Sequence, residues 1–412
     1  MKHGSPELNL HVNRRCGVTH SCQHNRLGLW LMLTMALLTM AATAALAKRA
    51  PGVIVPMELR GVHIFVDISI NGKPATFVLD TGASANVITP DAMKRLHLTP
   101  GEEQTPLTGA AGRAGSVSNV KIASLEVGAA RMQNQIAYVI PLPEALPCDG
   151  LLGTPFLQKQ VVTIDYEHSQ LTITPKREFS PPASAAALPL RFYGNTPFVE
   201  AIADGCKGWF RMDTGAGNGA TLFAAFAERN HLQGKYTPSV RIVTGRGVGG
   251  LLTGDLVRLP TLAVGPFKFS KAVTELSRQT TGTFGDKQNA GNIGGEVWQR
   301  FTVTLDYMDR KAFLVPNARF EVPFAAPRSG LAVDTDKGVN IVRDVTPNGP
   351  GAEAGIVVGD IVTAADGVPM GQIKPSDFTA LLRADPGTKV RLHIQSADKS
   401  ERDVTLTLRE LL

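Results

Sequence analysis

One four-residue run occurs twice in this chain, and it constrains the fold more than any other feature. Asp80-Thr81-Gly82-Ala83 recurs as Asp213-Thr214-Gly215-Ala216, 133 positions later. Reading backwards at the same offset, Pro56 aligns with Pro189, Gly61 with Gly194, Phe65-Val66 with Phe198-Val199, Gly72 with Gly205 and Phe77 with Phe210. That makes ten identities in 28 columns, which sets a duplicated unit above coincidence. A second block matches at an offset of 141. Gly150-Leu151-Leu152-Gly153 aligns with Gly291-Asn292-Ile293-Gly294, and Val162-Thr163-Ile164-Asp165-Tyr166 with Val303-Thr304-Leu305-Asp306-Tyr307. The units run from about 55 to 175 and from 188 to 316, joined by a linker over 177–187 that contains Pro181-Pro182 and an alanine run.

Each unit reads as β structure. Ile64 to Ile70 and Ala75 to Leu79 are strand-like and flank Asn71-Gly72, a strong hairpin signal; the second unit repeats this around Asp204-Gly205. Asp80 and Asp213 then stand where a strand becomes a loop, held by the ladder yet exposed to a cleft. With 41 Gly, 27 Pro and few aromatics, the composition suits turn-rich β structure. At 412 residues the chain needs more than one core.

The strand-end Asp-Thr-Gly-Ala with a later apolar-apolar-Gly segment resembles the retropepsin and pepsin-like aspartic peptidases. The resemblance implies two pseudo-two-fold-related β-barrel lobes, residues 52–176 and 188–318. It makes Asp80 and Asp213 the catalytic carboxylates, sharing one proton in a cleft. No metal or cofactor is implied. Thr81 and Thr214 would cross-link the two loops. Gly82 and Gly215 would allow close backbone approach. Ala83, Ser84, Ala216, Leu151, Leu152, Gly153, Ile293 and Gly294 would support the dyad from around and beneath. Gly109, Gly112, Gly245 and Gly247 lie in glycine-rich segments where such enzymes carry flaps. Three departures stand out. Gly217 replaces the small hydroxyl residue that Ser84 supplies in the first unit. Asn292 interrupts the second apolar-Gly segment. No tyrosine occurs between 100 and 119, which favours the retropepsin-like branch.

From residue 327 the texture changes. Ala354-Gly355-Ile356 followed by Gly359-Asp360-Ile361-Val362 resembles a PDZ domain of the type attached to bacterial envelope proteases, extending over 327–412. Gly330, Leu331, Ala332 and Val333 would then receive a peptide C-terminus or an internal strand. Ser376 is expected to cap a helix running to Arg383.

Residues 27–47 carry no charge, follow Arg26 and end Ala45-Leu46-Ala47, the pattern of a cleaved secretory signal peptide. The alternative is a retained anchor, the one case in which the chain would touch a membrane. Export to the periplasm or envelope of a bacterium follows. Cys16 and Cys22 would leave with that segment, and Cys148 and Cys206 are expected as free thiols, a disulfide being the alternative. The formal charge of +6 is not clustered with aromatics, so nucleic-acid binding has no support. His63, His97, His168, His231 and His393 are scattered and read as surface or packing residues. Trp209 and Trp298 read as lobe core. The expected activity is peptide-bond hydrolysis of a polypeptide substrate. Two alternatives remain at this level: a non-catalytic peptide-binding envelope protein on a protease scaffold, and a protease that assembles its site only as a homodimer.

Overall fold

The computed structural model describes residues 52–412, so the export segment over 1–47 lies outside the described residues. The described chain is dominated by strands arranged in three sheets.

The first sheet has eight strands, and its central path runs His63–Ile70, Lys73–Leu79, Gly150–Leu152, Asn86–Ile88, Ala130–Val139, Arg113–Val127. Ser69 and Ile70 then pair with Glu126 and Leu125, so the path returns on itself as a ring. Asn71 and Gly72 take φ values of 51° and 78°, the left-handed pair that a two-residue hairpin of matching twist requires. Asp204 and Gly205 do the same in the second half, at 46° and 84°. There the path is Thr196–Ala203, Cys206–Met212, Gly291–Ile293, Ala220–Leu222, Phe267–Ser277, Gly250–Val264, again returning to its first strand.

The halves are joined by strands rather than merely apposed. Val161–Asp165 of the first pairs antiparallel with Phe301–Asp306 of the second. Thr163 stands opposite Thr304, its own counterpart at the 141 offset, with the two hydroxyls 2.8 Å apart. Equivalent residues meeting each other is what a local two-fold axis demands. Strand Ala186–Tyr193 joins the same sheet beside Lys311–Pro316, so the last two residues of the 177–187 stretch are already strand. Trp298 is fully buried as expected, but Trp209 is only half-buried, with the Arg191 guanidinium 4.3 Å from its ring centroid. Cys148 and Cys206 are both free and half-buried.

The C-terminal sheet is built from Leu331–Asp336, Val339–Val345, Ile361–Ala365, Lys389–Gln395 and Glu401–Thr407, with its own core of Val342, Val362, Leu392, Ile394 and Leu406. Its helix spans Pro375–Leu382 and differs from expectation at its start. Lys374 is the cap residue and Ser376 lies inside the first turn, because Pro375 supplies the preset φ of a first helical position.

Candidate active site

The two aspartates arrive from equivalent strand ends. Lys73–Leu79 delivers Asp80, whose N–H donates to the Leu152 carbonyl at 3.1 Å; Cys206–Met212 delivers Asp213, whose N–H donates to the Ile293 carbonyl at 3.0 Å. The apolar-Gly segments thus lie directly beneath the motif loops. Gly153 donates to Asn86 Oδ1 at 3.0 Å, and a Cβ on it would lie 2.8 Å from the Ala83 carbonyl. A Cβ on Gly294 would lie 3.1 Å from the Ala216 carbonyl.

Reciprocal threonine bonds lock the loops together. Thr81 Oγ1 donates to the Met212 carbonyl at 2.6 Å and accepts from the Thr214 N–H at 3.0 Å. Thr214 Oγ1 donates to the Leu79 carbonyl at 2.8 Å and accepts from the Thr81 N–H at 3.1 Å. Both threonines are buried, so each bond counts fully against a lost partner.

This grip brings each carboxyl against the other loop's glycine. A Cβ on Gly82 would lie 2.6 Å from Asp213 Cγ, and one on Gly215 would lie 2.5 Å from Asp80 Cγ. Only glycine leaves that space. Asp80 Oδ1 accepts from the N–H groups of Gly82 and Ala83 at 2.8 and 3.1 Å, and Asp213 Oδ1 from Gly215 at 3.1 Å. Burial, and then the charge of Asp213, pushes the Asp80 carboxyl up to about 7. Asp213 is also raised by burial, with the nearby Arg211 pulling it back.

The two carboxyls are not equivalent, and the difference traces to the sequence departures. Asn292, fully buried, donates its amide to Asp213 Oδ2 at 2.8 Å, whereas Leu151 at the matching place can offer nothing. Arg211 likewise replaces the apolar Val78. Ser84 is exposed, and among the described residues its hydroxyl makes no bond to Asp80; Gly217 is exposed too. His63, set aside as a packing residue in the sequence, places Nε2 3.2 Å from the Gly215 carbonyl. No local pattern around His63 announces that contact.

Two long hairpins carry the glycine-rich segments. The first, Pro100–Thr108 with Arg113–Val127, turns at residues 109–112; the second, Ser239–Gly247 with Gly250–Val264, turns at Val248 and Gly249. Gly109 and Gly112 therefore sit at a tip, while Gly245 and Gly247 lie within a strand, Gly245 at a bulge. The tips touch. The Ala111 N–H donates to the Val248 carbonyl at 3.3 Å, and the Thr283 N–H donates to the Gly109 carbonyl at 2.9 Å.

The C-terminal domain leans on the second hairpin. Leu331–Asp336 is an edge strand, and its Asp334 is gripped by Arg246 through Nε at 3.1 Å and Nη2 at 2.6 Å. The Val243 N–H donates to Asp344 Oδ2 at 2.9 Å. Glu144 of the first half accepts from the Lys337 and Gly338 N–H groups, both at 2.7 Å. The Leu331 N–H, one of the expected carboxylate donors, is already bonded to Ser329 Oγ at 3.2 Å.

Comparison with known proteins agrees with the motifs. Residues 66–156 match the aspartyl protease family, and residues 341–396 match the PDZ domain. The chain thus carries a segment similar to aspartyl proteases followed by one similar to PDZ domains. The protease match covers the first motif and stops before the second. Among solved structures, a retropepsin-like aspartic protease from Rickettsia conorii is similar at 23% identity, over 29% of this chain and 87% of that one, with a TM-score of 0.24. No curated protein matches. Among the described residues no cluster of His, Cys, Asp and Glu has metal-holding geometry, and no helix is long and apolar enough to cross a membrane.

Proposed function

We propose that this chain is an exported aspartic endopeptidase that hydrolyses peptide bonds through a water held between Asp80 and Asp213, within one polypeptide. The carrying observation is the mutual approach of the two carboxyls, each against the other loop's glycine. Two carboxyls so placed share one proton, because both cannot ionise at that range; aspartic proteases are the standard case of this effect. Asn292 and Arg211 favour the ionised form at Asp213, so Asp213 accepts the proton of the attacking water while Asp80 donates to the peptide carbonyl oxygen. The pair titrates as a unit. The two hairpins close over an extended substrate and exclude water. The PDZ domain recognises peptide ends or internal strands. Its edge strand faces the second hairpin, which supports a gating role as well as recruitment.

Asp80→Asn and Asp213→Asn are each expected to abolish cleavage of an unstructured protein substrate while leaving the circular dichroism spectrum unchanged. Full activity in either variant sinks the shared dyad. A wild-type chain that binds peptides but never cuts them leaves only the scaffold reading, which Gly217 and the exposed Ser84 favour.

A further inference from the structure

The two halves differ in the side chains at matched positions of their inner strands. In the first, Phe65, Val78, Val87, Ile140 and Leu151 form a buried apolar cluster with Tyr138 packed against it. Strand pairing identifies the counterparts. Tyr138 stands opposite Val87 in the first half, as Glu275 stands opposite Thr221 in the second. Ser277 and Asn292 take the places of Ile140 and Leu151. An apolar floor has been exchanged for Thr221, Glu275, Ser277 and Asn292, every one of them buried.

Glu275 is the unusual member. It is 2% exposed, and its Oε1 has no hydrogen-bond partner. Thr221 Oγ1 donates to Oε2 at 3.3 Å, and the Thr244 hydroxyl, which has no other partner, stands close to the carboxyl. Gly254 leaves the room the carboxyl occupies, since a Cβ there would lie 2.8 Å from Oε1. Glu275 lines a cavity of about 270 Å³ that runs from the end of the second motif loop, at Asn218 and Gly219, past Thr244 on the flap to the PDZ domain. Asn218 Oδ1 borders the same cavity and is also unpartnered. The other charges around it are matched: Arg246 and Arg343 with Asp334, and Arg383 with Glu296. Among the described residues Glu275 has no basic partner. A buried acid in a roomy cavity, met only by neutral hydroxyls and beside a second free acceptor, suits a charged donor that enters from outside.

We propose that this cavity is a substrate subsite for a basic side chain, with Glu275 and Asn218 receiving the ammonium or guanidinium of a lysine or arginine lying beside the scissile bond. The inference rests on the protease reading and adds the substrate class. Burial pushes the Glu275 carboxyl up to about 7. A cation in the cavity stabilises its ionised form, so the preference for a basic residue strengthens as pH rises through that value.

The test uses statine-containing peptides that differ only in lysine against norleucine, placed at each flanking position in turn. Binding to the full chain is followed by calorimetry at pH 6 and pH 8. At one position lysine is expected to bind about tenfold tighter at pH 8, the worth of a charge-assisted hydrogen bond, and less so at pH 6. Glu275→Gln and Glu275→Met are expected to erase that difference while keeping the affinity of the norleucine peptide. Equal affinity of the two peptides at every position of the wild type overturns the subsite whatever the variants do. A lysine preference that survives in the variants overturns it as well. Absence of cleavage in parallel assays, with the lysine preference intact, sinks the endopeptidase reading and leaves the subsite standing.

Discussion

Replacing Asn292 by leucine restores the residue that its counterpart, Leu151, already supplies, and so isolates one hydrogen bond. In the folded chain the Asn292 amide donates to Asp213 Oδ2 at 2.8 Å, with both groups buried. A bond to an ionised acceptor contributes about 1.5–3 kcal/mol. It holds the charged carboxylate and lowers its pKa, so its loss moves the pKa upward. At 1.36 kcal/mol per unit, the shift is about 1–2 units. The groups that remain around Asp213 are Asp80, the Arg211 guanidinium and the Gly215 and Ala216 N–H groups, and the substitution leaves each in place. Asn292 Oδ1 has no partner, so leucine removes a buried orphan along with the bond, which offsets part of the loss, and stability is expected to fall by less than about 3 kcal/mol. The assay is kcat/KM against pH with a fluorogenic peptide, alongside a thermal melt. The acid limb, set by the ionised member of the free enzyme, should move up by that amount while the alkaline limb moves less. An active, stable variant whose acid limb does not move refutes the assignment of Asp213 as the ionised member.

Thr81→Val removes a donor to the Met212 carbonyl and an acceptor for the Thr214 N–H, both buried; a loss of about 2–4 kcal/mol in denaturant unfolding is expected, and an unchanged midpoint rejects the cross-link. Asp334→Ala frees Arg246 and leaves Arg343 with Asp336 alone, so amide exchange over residues 239–250 should quicken; equal exchange in the two proteins rules out a latch on the second hairpin. Asp80 is raised by burial and the charge of Asp213, so the stability it contributes is fully present below the unfolded value near pH 4 and is lost as pH rises to about 7. Asp80→Asn should flatten the stability profile across that window, and a profile identical to wild type contradicts the raised value.

Much of this molecule was legible from residues alone, where short-range rules operate. Asn71-Gly72 and Asp204-Gly205 are hairpin turns because left-handed φ is cheap there, and alternation around them produces the strands that end in the two aspartates. The doubled motif required two equivalent loops. Other features needed the whole fold. Glu275 lies in a strand between Thr274 and Leu276 where nothing in the sequence marks a buried acid, and only the tertiary packing around that strand removes its carboxyl from water. Asn292 was visible as a break in an apolar pattern, but the direction of its amide depends on a parallel pairing with a strand some 80 residues earlier, as Arg211↔Asn292. His63 meets Gly215 across 152 residues, and Ser376 lost its capping place to a neighbouring proline. Turn and strand preferences act over a few residues and survive in any context. Which buried polar group meets which partner is set by chain closure over hundreds of residues, and no local pattern encodes it.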